Sequence, residues 1–203
     1  MKLFYKPGAC SLASHIVLRE LGADFELEKV DTGKGLTETG RDFRTLSPNG
    51  YVPALQLESG EAITENPALL QYLGDLKPEL GLTPPAGTMG RVRLQELLNF
   101  LSSELHKAFG RYFSGRDLTA EERQDADGRV TKRLAYLEGL LADGRPYLLG
   151  ETFSVADAYG FVIFNWTGFV GFSLAPFEHI PAYMERIGQR PAVVAALKAE
   201  GLA

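Results

Sequence analysis

A single cysteine, Cys10, stands just past Pro7-Gly8, where an apolar pattern of helical spacing (Leu12, Ile16, Leu21) begins. At a helix start, free backbone N–H groups and the helix dipole favour an anion, so a thiolate there is expected with a pKa below the free value of about 8.5. A lone cysteine is also a common small apolar core residue, and position alone leaves both readings open. Val52-Pro53 precedes a strand pattern; X-Pro bonds are where cis peptides occur, although an ordinary strand-start proline fits equally. Glu65-Asn66-Pro67 opens a helix. Its N–H groups suit a carboxylate and Glu65 suits an ammonium, together the α-amino acid end of a ligand. Plain helix capping by Asn66 explains the same residues. Asn99, Ser103 and His106 fall at i, i+4 and i+7, hence on one helix face. Being uncharged they make an unusual solvated face, and His106 can pair with a thiolate if this face turns toward Cys10.

These residues need elements to position them. Residues 1–77 alternate strand and helix patterns: a short strand Leu3-Phe4-Tyr5, a helix ending at Gly22, and a strand around Phe25, Leu27 and Val30. A Gly- and Thr-rich stretch from Thr32 to Gly50 comes next, with at most a short helix near Arg41–Leu46. Then come a hairpin pattern (Ala54–Glu58, Glu61–Thr64) and a helix carrying Leu69, Leu70 and Leu73. That order predicts one α/β sheet layer. Residues 78–88 are dense in Pro and Gly and read as a linker. Residues 89–203 are helical in pattern throughout. A leucine stripe (Leu94, Leu97, Leu98, Leu101, Leu105) predicts a helix of roughly twenty residues. Further helices are expected from about Ala120 to Leu141, from a capping-box-like Ser154-Val155-Ala156-Asp157, from Pro181, and after Arg190-Pro191.

The composition is that of an ordinary globular chain: 203 residues, 45% hydrophobic and 23% charged. With a net charge of −5 and no basic block, nucleic acid is not an expected partner. One cysteine excludes an intrachain disulfide or a multi-thiolate metal site, and the three histidines show no metal-ligand spacing, so no metal is expected. Ala158–Phe177 is free of charge, but its polar residues, glycines and acidic flanks point to a buried helix, not a membrane span. The N-terminus has no long apolar segment, and a cytoplasmic location is expected.

Taken together, Met1-Lys2-Leu3-Phe4-Tyr5-Lys6-Pro7-Gly8-Ala9-Cys10-Ser11, Gly50-Tyr51-Val52-Pro53-Ala54-Leu55, Thr64-Glu65, Ser103-Glu104-Leu105-His106-Lys107 and Ser154-Val155-Ala156-Asp157-Ala158-Tyr159 resemble the bacterial, cysteine-containing beta class of glutathione S-transferases. The resemblance implies a thioredoxin-like N-terminal domain, an all-α C-terminal domain and a homodimer. It implies an enzyme joining the thiol of glutathione, its co-substrate, to hydrophobic electrophiles. Cys10 would lie beside that thiol, with Tyr5 and His106 near and Ser11 able to donate to the sulfur. Val52, held by a cis Pro53, would bond the glutathione backbone. Glu65 and Asn66 would take the γ-glutamyl end, with Asn99 and Ser103 approaching from the second domain. Two positions depart from the family pattern. Gly35 stands where a lysine is common, leaving Lys34 as the substitute, and Asn66 stands for the usual Ser or Gly, still able to donate through its amide. Two other functions fit the same residues: thiol–disulfide exchange through Cys10, with conjugation a side activity, and a non-catalytic scaffold. Tyr112, Phe113, Trp166 and Phe169 are the candidates for an apolar pocket, or for ordinary core.

Overall fold

Alternation puts Leu3 and Phe4 on opposite faces of the first strand, and the sheet is organised around that pair. In the computed structural model, which describes all 203 residues, β1 (Lys2–Tyr5) runs parallel to β2 (Glu26–Asp31) and antiparallel to β4 (Ala54–Gln56). With β3 (Leu36–Thr37) and β5 (Ala62–Thr64) at the edges, the order is β3-β2-β1-β4-β5. Leu3 and Leu55 face the helices and join the main core, while Phe4, Val30 and Ala54 face Phe43 in a small second core. The short helix expected near residues 41–46 is a 3-10 turn, Phe43–Thr45, capped by Asp42. β3 has no signal in the sequence, because two residues are too few for alternation to show.

The strand directions decide where chemistry can happen. The ends of β1, β2 and β5 and the start of β4 lie along one edge of the sheet. Cys10, the loop after Asp31, Val52-Pro53 and Glu65 therefore share that edge, the side on which α/β sheets bind ligands. α1 (Ser11–Glu20) and α2 (Asn66–Asp75) come after β1 and β5.

A 3-10 turn (Pro78–Leu80) leads toward α3 (Met89–Asn99). The long helix predicted by the leucine stripe is one path in three parts: α3, a π-helical turn Phe100–Leu105, and α4 (His106–Ala108). A π turn inserts residues into the helical period and rotates the faces of the helix beyond it. α5 (Ala120–Leu141), α6 (Val155–Phe169), α7 (His179–Gly188) and α8 (Pro191–Ala199) complete the chain. α7 opens before Pro181 because the Glu138 carboxylate accepts hydrogen bonds from the N–H groups of Glu178, His179 and Ile180. That cap comes from another helix and leaves no local signal. α6 is the buried central helix, and no helix is long and apolar enough to cross a membrane.

The two parts of the chain share one core that runs from Leu3 and Leu12 to Leu98, Phe164 and Ile187. The loop before Cys10 is clasped by the helical part. Gly8 N–H donates to Glu200 Oε2 at 3.0 Å, and Trp166 Nε1 donates to the Gly8 carbonyl at 2.8 Å. Buried His15 contacts the other Glu200 oxygen at 2.9 Å.

Candidate functional site

Cys10 lies at the N-cap of α1, as its position predicts, but its protonation state differs from the expectation. Cys10 is half-buried as a residue, and Sγ donates to the Val52 carbonyl at 3.3 Å. Burial pushes the thiol up to about 12, with Glu65 acting in the same sense. The backbone N–H groups of Cys10 and Ser11, and Lys107, favour the anion without overcoming that desolvation. In this state Cys10 is a neutral hydrogen-bond donor.

Two neighbours expected to face a ligand are turned inward. The buried Ser11 hydroxyl accepts from Lys6 N–H at 3.2 Å and donates to the Lys6 carbonyl at 3.3 Å, so it fastens its own loop. Asn66 is also buried. Its Nδ2 donates to the Cys10 carbonyl at 2.7 Å, and its Oδ1 accepts from Ser14 Oγ at 2.8 Å. The amide is therefore committed, and the N-cap of α2 is Glu65 instead. Tyr5 ends β1 with its ring against His15. Burial, then the Glu200 and Glu38 carboxylates, raises its phenol pKa, and no hydrogen bond joins it to Cys10, whose thiol donates to Val52.

Glu65 is exposed, and it is the one non-glycine residue with positive φ, at φ 67 and ψ 112. Such a backbone costs on the order of 1–3 kcal/mol and gathers at functional positions. Its side chain makes no cap bond to its own helix. An unpaired carboxylate thus stands beside the free Asn66 N–H at a helix N-terminus. Val52-Pro53 is a cis peptide, and the sheet register begins only at Ala54, leaving the Val52 N–H outside the ladder.

From the helical part, His106 turns inward just after the π turn, while Asn99 and Ser103 stay exposed. The face shared at helical spacing is thus split, and the Ser103 hydroxyl donates to the Asn99 carbonyl at 2.8 Å. His106 Nδ1 lies 2.8 Å from the Tyr159 hydroxyl, and its ring meets the edge of Trp166 at 4.7 Å between centroids. Burial, then Lys107, lowers the His106 pKa to about 4. It is a neutral imidazole, not the imidazolium expected to steady a thiolate.

Tyr159 is a site residue that the sequence motifs do not single out. Its hydroxyl lies where the two domains meet, within electrostatic reach of Cys10 and Glu65 and beside the Asn66 side chain, and burial holds its pKa well above the usual range. The residues around it advertise only a helix cap. A tyrosine on an otherwise apolar helix needs a hydroxyl partner, and that is the available signal.

Lys34 is exposed and pairs with Asp31 at 3.6 Å. Among the aromatic candidates, Tyr112 donates to Asp127 at 2.6 Å and Trp166 is buried. Phe113 and Phe169 remain 53% and 59% exposed. Phe113 packs on Trp166, and Phe169 approaches the Gly8 position at 3.8 Å, so both flank the loop that carries Cys10. No group of three or more His, Cys, Asp or Glu residues is placed to hold a metal ion.

A thioredoxin-like sheet domain with a thiol at its first helix, completed by a helical domain that brings an imidazole and aromatic rings, defines a two-domain thiol-handling protein. Comparison with known proteins gives the family. Residues 8–76 match the glutathione S-transferase N-terminal domain and residues 100–191 the C-terminal domain. The chain is 44% identical over its full length, and the relative's, to glutathione S-transferase GstA of Escherichia coli O157:H7. A sphingomonad glutathione S-transferase complexed with glutathione shares 52% identity with a TM-score of 0.94, covering 100% of both chains. The bacterial beta class enzyme of Sphingomonas chungbukensis shares 49% with a TM-score of 0.95, again covering 100% of both. The chain belongs to the glutathione S-transferase family, in its bacterial beta class, and its activity is glutathione transfer.

Proposed function

We propose that glutathione lies extended along the sheet edge, with its ammonium on Glu65 and its γ-glutamyl carboxylate on the Asn66 N–H at the start of α2. The observation that carries this is the exposed, unpaired Glu65 held at positive φ beside that helix start. The cysteinyl backbone then meets Val52, and its sulfur comes next to Cys10. Since burial keeps Cys10 neutral, its S–H donates to the glutathione thiolate in place of the Val52 carbonyl. His106 acts as a neutral imidazole. With the Tyr159 hydroxyl donating to Nδ1, its Nε2 carries the proton and is free to donate. Hydrogen-bond donors around a developing or existing anion lower its energy more in a site poor in water than in bulk. The glutathione thiolate attacks the electrophilic carbon, forming the C–S bond as the leaving group departs with its electron pair. Phe113 and Phe169 supply the apolar wall against which the electrophile rests.

Retention on immobilised glutathione and a rise in melting temperature with free glutathione test the binding reading, because a ligand selective for the native state stabilises it. Equal melting temperatures with and without saturating glutathione would sink it. A second reading, thiol–disulfide exchange, is favoured by one observation: the only cysteine, half-buried, stands at this sheet edge. Oxidised glutathione should load Cys10 reversibly, and Cys10→Ala should abolish the exchange while conjugation survives in part. Exchange that persists in Cys10→Ala removes this reading.

The working unit we propose is an isologous homodimer in the cytoplasm. Tyr51, 70% exposed, and Met89, 63% exposed, have no role within one chain, and a two-fold contact would cover such side chains. A sedimentation mass of one chain at micromolar concentration contradicts it.

A further inference from the structure

The two exposed aromatic walls of the electrophile pocket sit on different elements. Phe113 follows the 3-10 turn Phe109–Arg111, at the start of an exposed run that reaches Asp117. Phe169 is the last residue of α6. Arg123, in the first turn of α5, bonds the carriers of both. Its Nε donates to the Asp127 carboxylate, one turn further along the same helix, at 3.0 and 3.2 Å. Asp127 also accepts from the Tyr112 hydroxyl at 2.6 Å, and the guanidinium lies over the Tyr112 ring, 5.1 Å from its centre. The other arm, Nη2, donates to the Gly171 carbonyl at 3.1 Å. Burial, then the bond to Asp127, raises the Tyr112 pKa, so the phenol stays a donor through the neutral range.

Both attachments lie next to a wall. Tyr112 precedes Phe113, and consecutive Cα atoms are held at about 3.8 Å, so anchoring the one places the base of the other. Phe113 in turn meets the edge of Trp166 at 5.4 Å, and the same indole meets His106 at 4.7 Å. Gly171 lies two residues past Phe169. Its φ of +63 lets the Phe172 N–H return to the Thr167 carbonyl at 2.8 Å, which closes the end of α6. The last turn of α6 has no basic residue, so Arg123 supplies from another helix the positive charge that a helix C-terminus favours. We propose that Arg123, with Asp127 and Tyr112, is a positioning brace that sets the spacing of the Phe113 and Phe169 walls, and with it the size of electrophile the site prefers. The brace acts through the two rings and not on the reacting atoms. A guanidinium suits the task, because its rigid fork reaches two acceptors while its face stacks on a ring. Walls held at one spacing favour a one-ring electrophile that fills the gap over a larger one that must part them.

This inference rests on the wall reading above, and the test separates the two. Steady-state conjugation is measured with chlorodinitrobenzene, which has one ring, and with chlorodinitronaphthalene, which has two fused rings. Arg123→Ala should raise KM about fivefold for the one-ring substrate and about twofold at most for the other, a size in keeping with a half-exposed charged contact. KM for glutathione and kcat should stay within about twofold of wild type, because nothing at the reacting centre is removed. Arg123→Lys should lie between the two proteins, since an ammonium keeps the Asp127 pair without the second arm or the ring stack. Tyr112→Phe loses one hydroxyl and should give a smaller shift in the same direction. Arg129→Ala removes an equal charge from the same helix, paired to Asp125, and should keep the wild-type ratio of the two KM values. A purely structural role would lower stability and leave that ratio unchanged. The assignment is overturned if the ratio is unchanged in both Arg123→Ala and Tyr112→Phe, if Arg129→Ala shifts it as far, or if KM for glutathione rises in step. If Phe113→Ala and Phe169→Ala leave both electrophile KM values as in wild type, the walls themselves are misplaced.

Discussion

Among the helices that begin beside an acidic residue, α6 and α2 give that acid opposite fates. At α6, Asp157 is fully buried and saturated: it accepts hydrogen bonds from the N–H groups of Leu148 and Ser154 and from the hydroxyls of Ser154 and Tyr183. Burial still raises its pKa, so those donors are needed to hold it. At α2, Glu65 is exposed, makes no cap bond and sits at positive φ. A carboxylate satisfied by its own chain organises the fold. A carboxylate left unpaired on a strained backbone is available to a ligand; the next residue, Asn66, is buried and fastened to the Cys10 carbonyl and Ser14.

The largest effect should come from Asp157→Ala. It leaves the Leu148 and Ser154 N–H groups buried without a partner and the Tyr183 hydroxyl with only a long 3.4 Å contact to the carbonyl of residue 157, and urea unfolding should show a loss of about 3–5 kcal/mol. Glutathione affinity of the remaining folded protein should stay near wild type. A loss below about 1 kcal/mol would mean this network is dispensable, and the contrast with Glu65 would fail.

Next is Glu65→Ala, which should weaken glutathione binding by on the order of 2 kcal/mol, through loss of a charge-assisted partner to the ammonium. Glu61→Ala is the control and should bind as wild type does. Glu65→Gly sharpens the comparison: it should lose binding to a similar degree while gaining about 1 kcal/mol of stability from relief of the positive φ. If the Ala variants at 65 and 61 bind alike, the ligand end is misplaced.

His106 extends the contrast to pH. Its native pKa, about 4, lies below the ordinary 6.5, so between those values the unfolded chain takes up a proton that the native one refuses. The stabilisation is present above pH 6.5 and is lost as pH falls toward 4, on the order of 2 kcal/mol across that window. Urea unfolding at several pH values should show the loss in wild type and a shallower one in His106→Gln. Identical slopes in the two proteins would show that burial does not hold His106 neutral.

The smallest effect concerns Cys10. As a buried neutral thiol, it should react slowly with iodoacetamide at about pH 7.5, and the rate should still be climbing above about pH 9. A rate that is fast and level near neutrality would restore the low pKa expected from its position at the helix start.

Features legible in the sequence were those with a local cause. The strand–helix alternation, the limits of α5, the α6 cap at Ser154 and Asp157, and the placing of Cys10, Val52-Pro53 and Glu65 at element ends all arise from neighbours within a few residues. The motif resemblance led to the same family that the comparisons identify. Other features depended on chain far away. Ser11 and Asn66 had donors and acceptors to offer a ligand, but Lys6, Ser14 and the Cys10 carbonyl take them. The π turn moved His106 off the face it shared with Asn99 and Ser103. Tyr159 acquired meaning only beside His106, 53 residues earlier in the chain. Protonation was the feature furthest from sequence. A helix start favours a thiolate and a neighbouring imidazolium favours it further, but both effects are local, while desolvation is set by everything that packs around the group. For Cys10 and His106 that packing keeps both groups neutral.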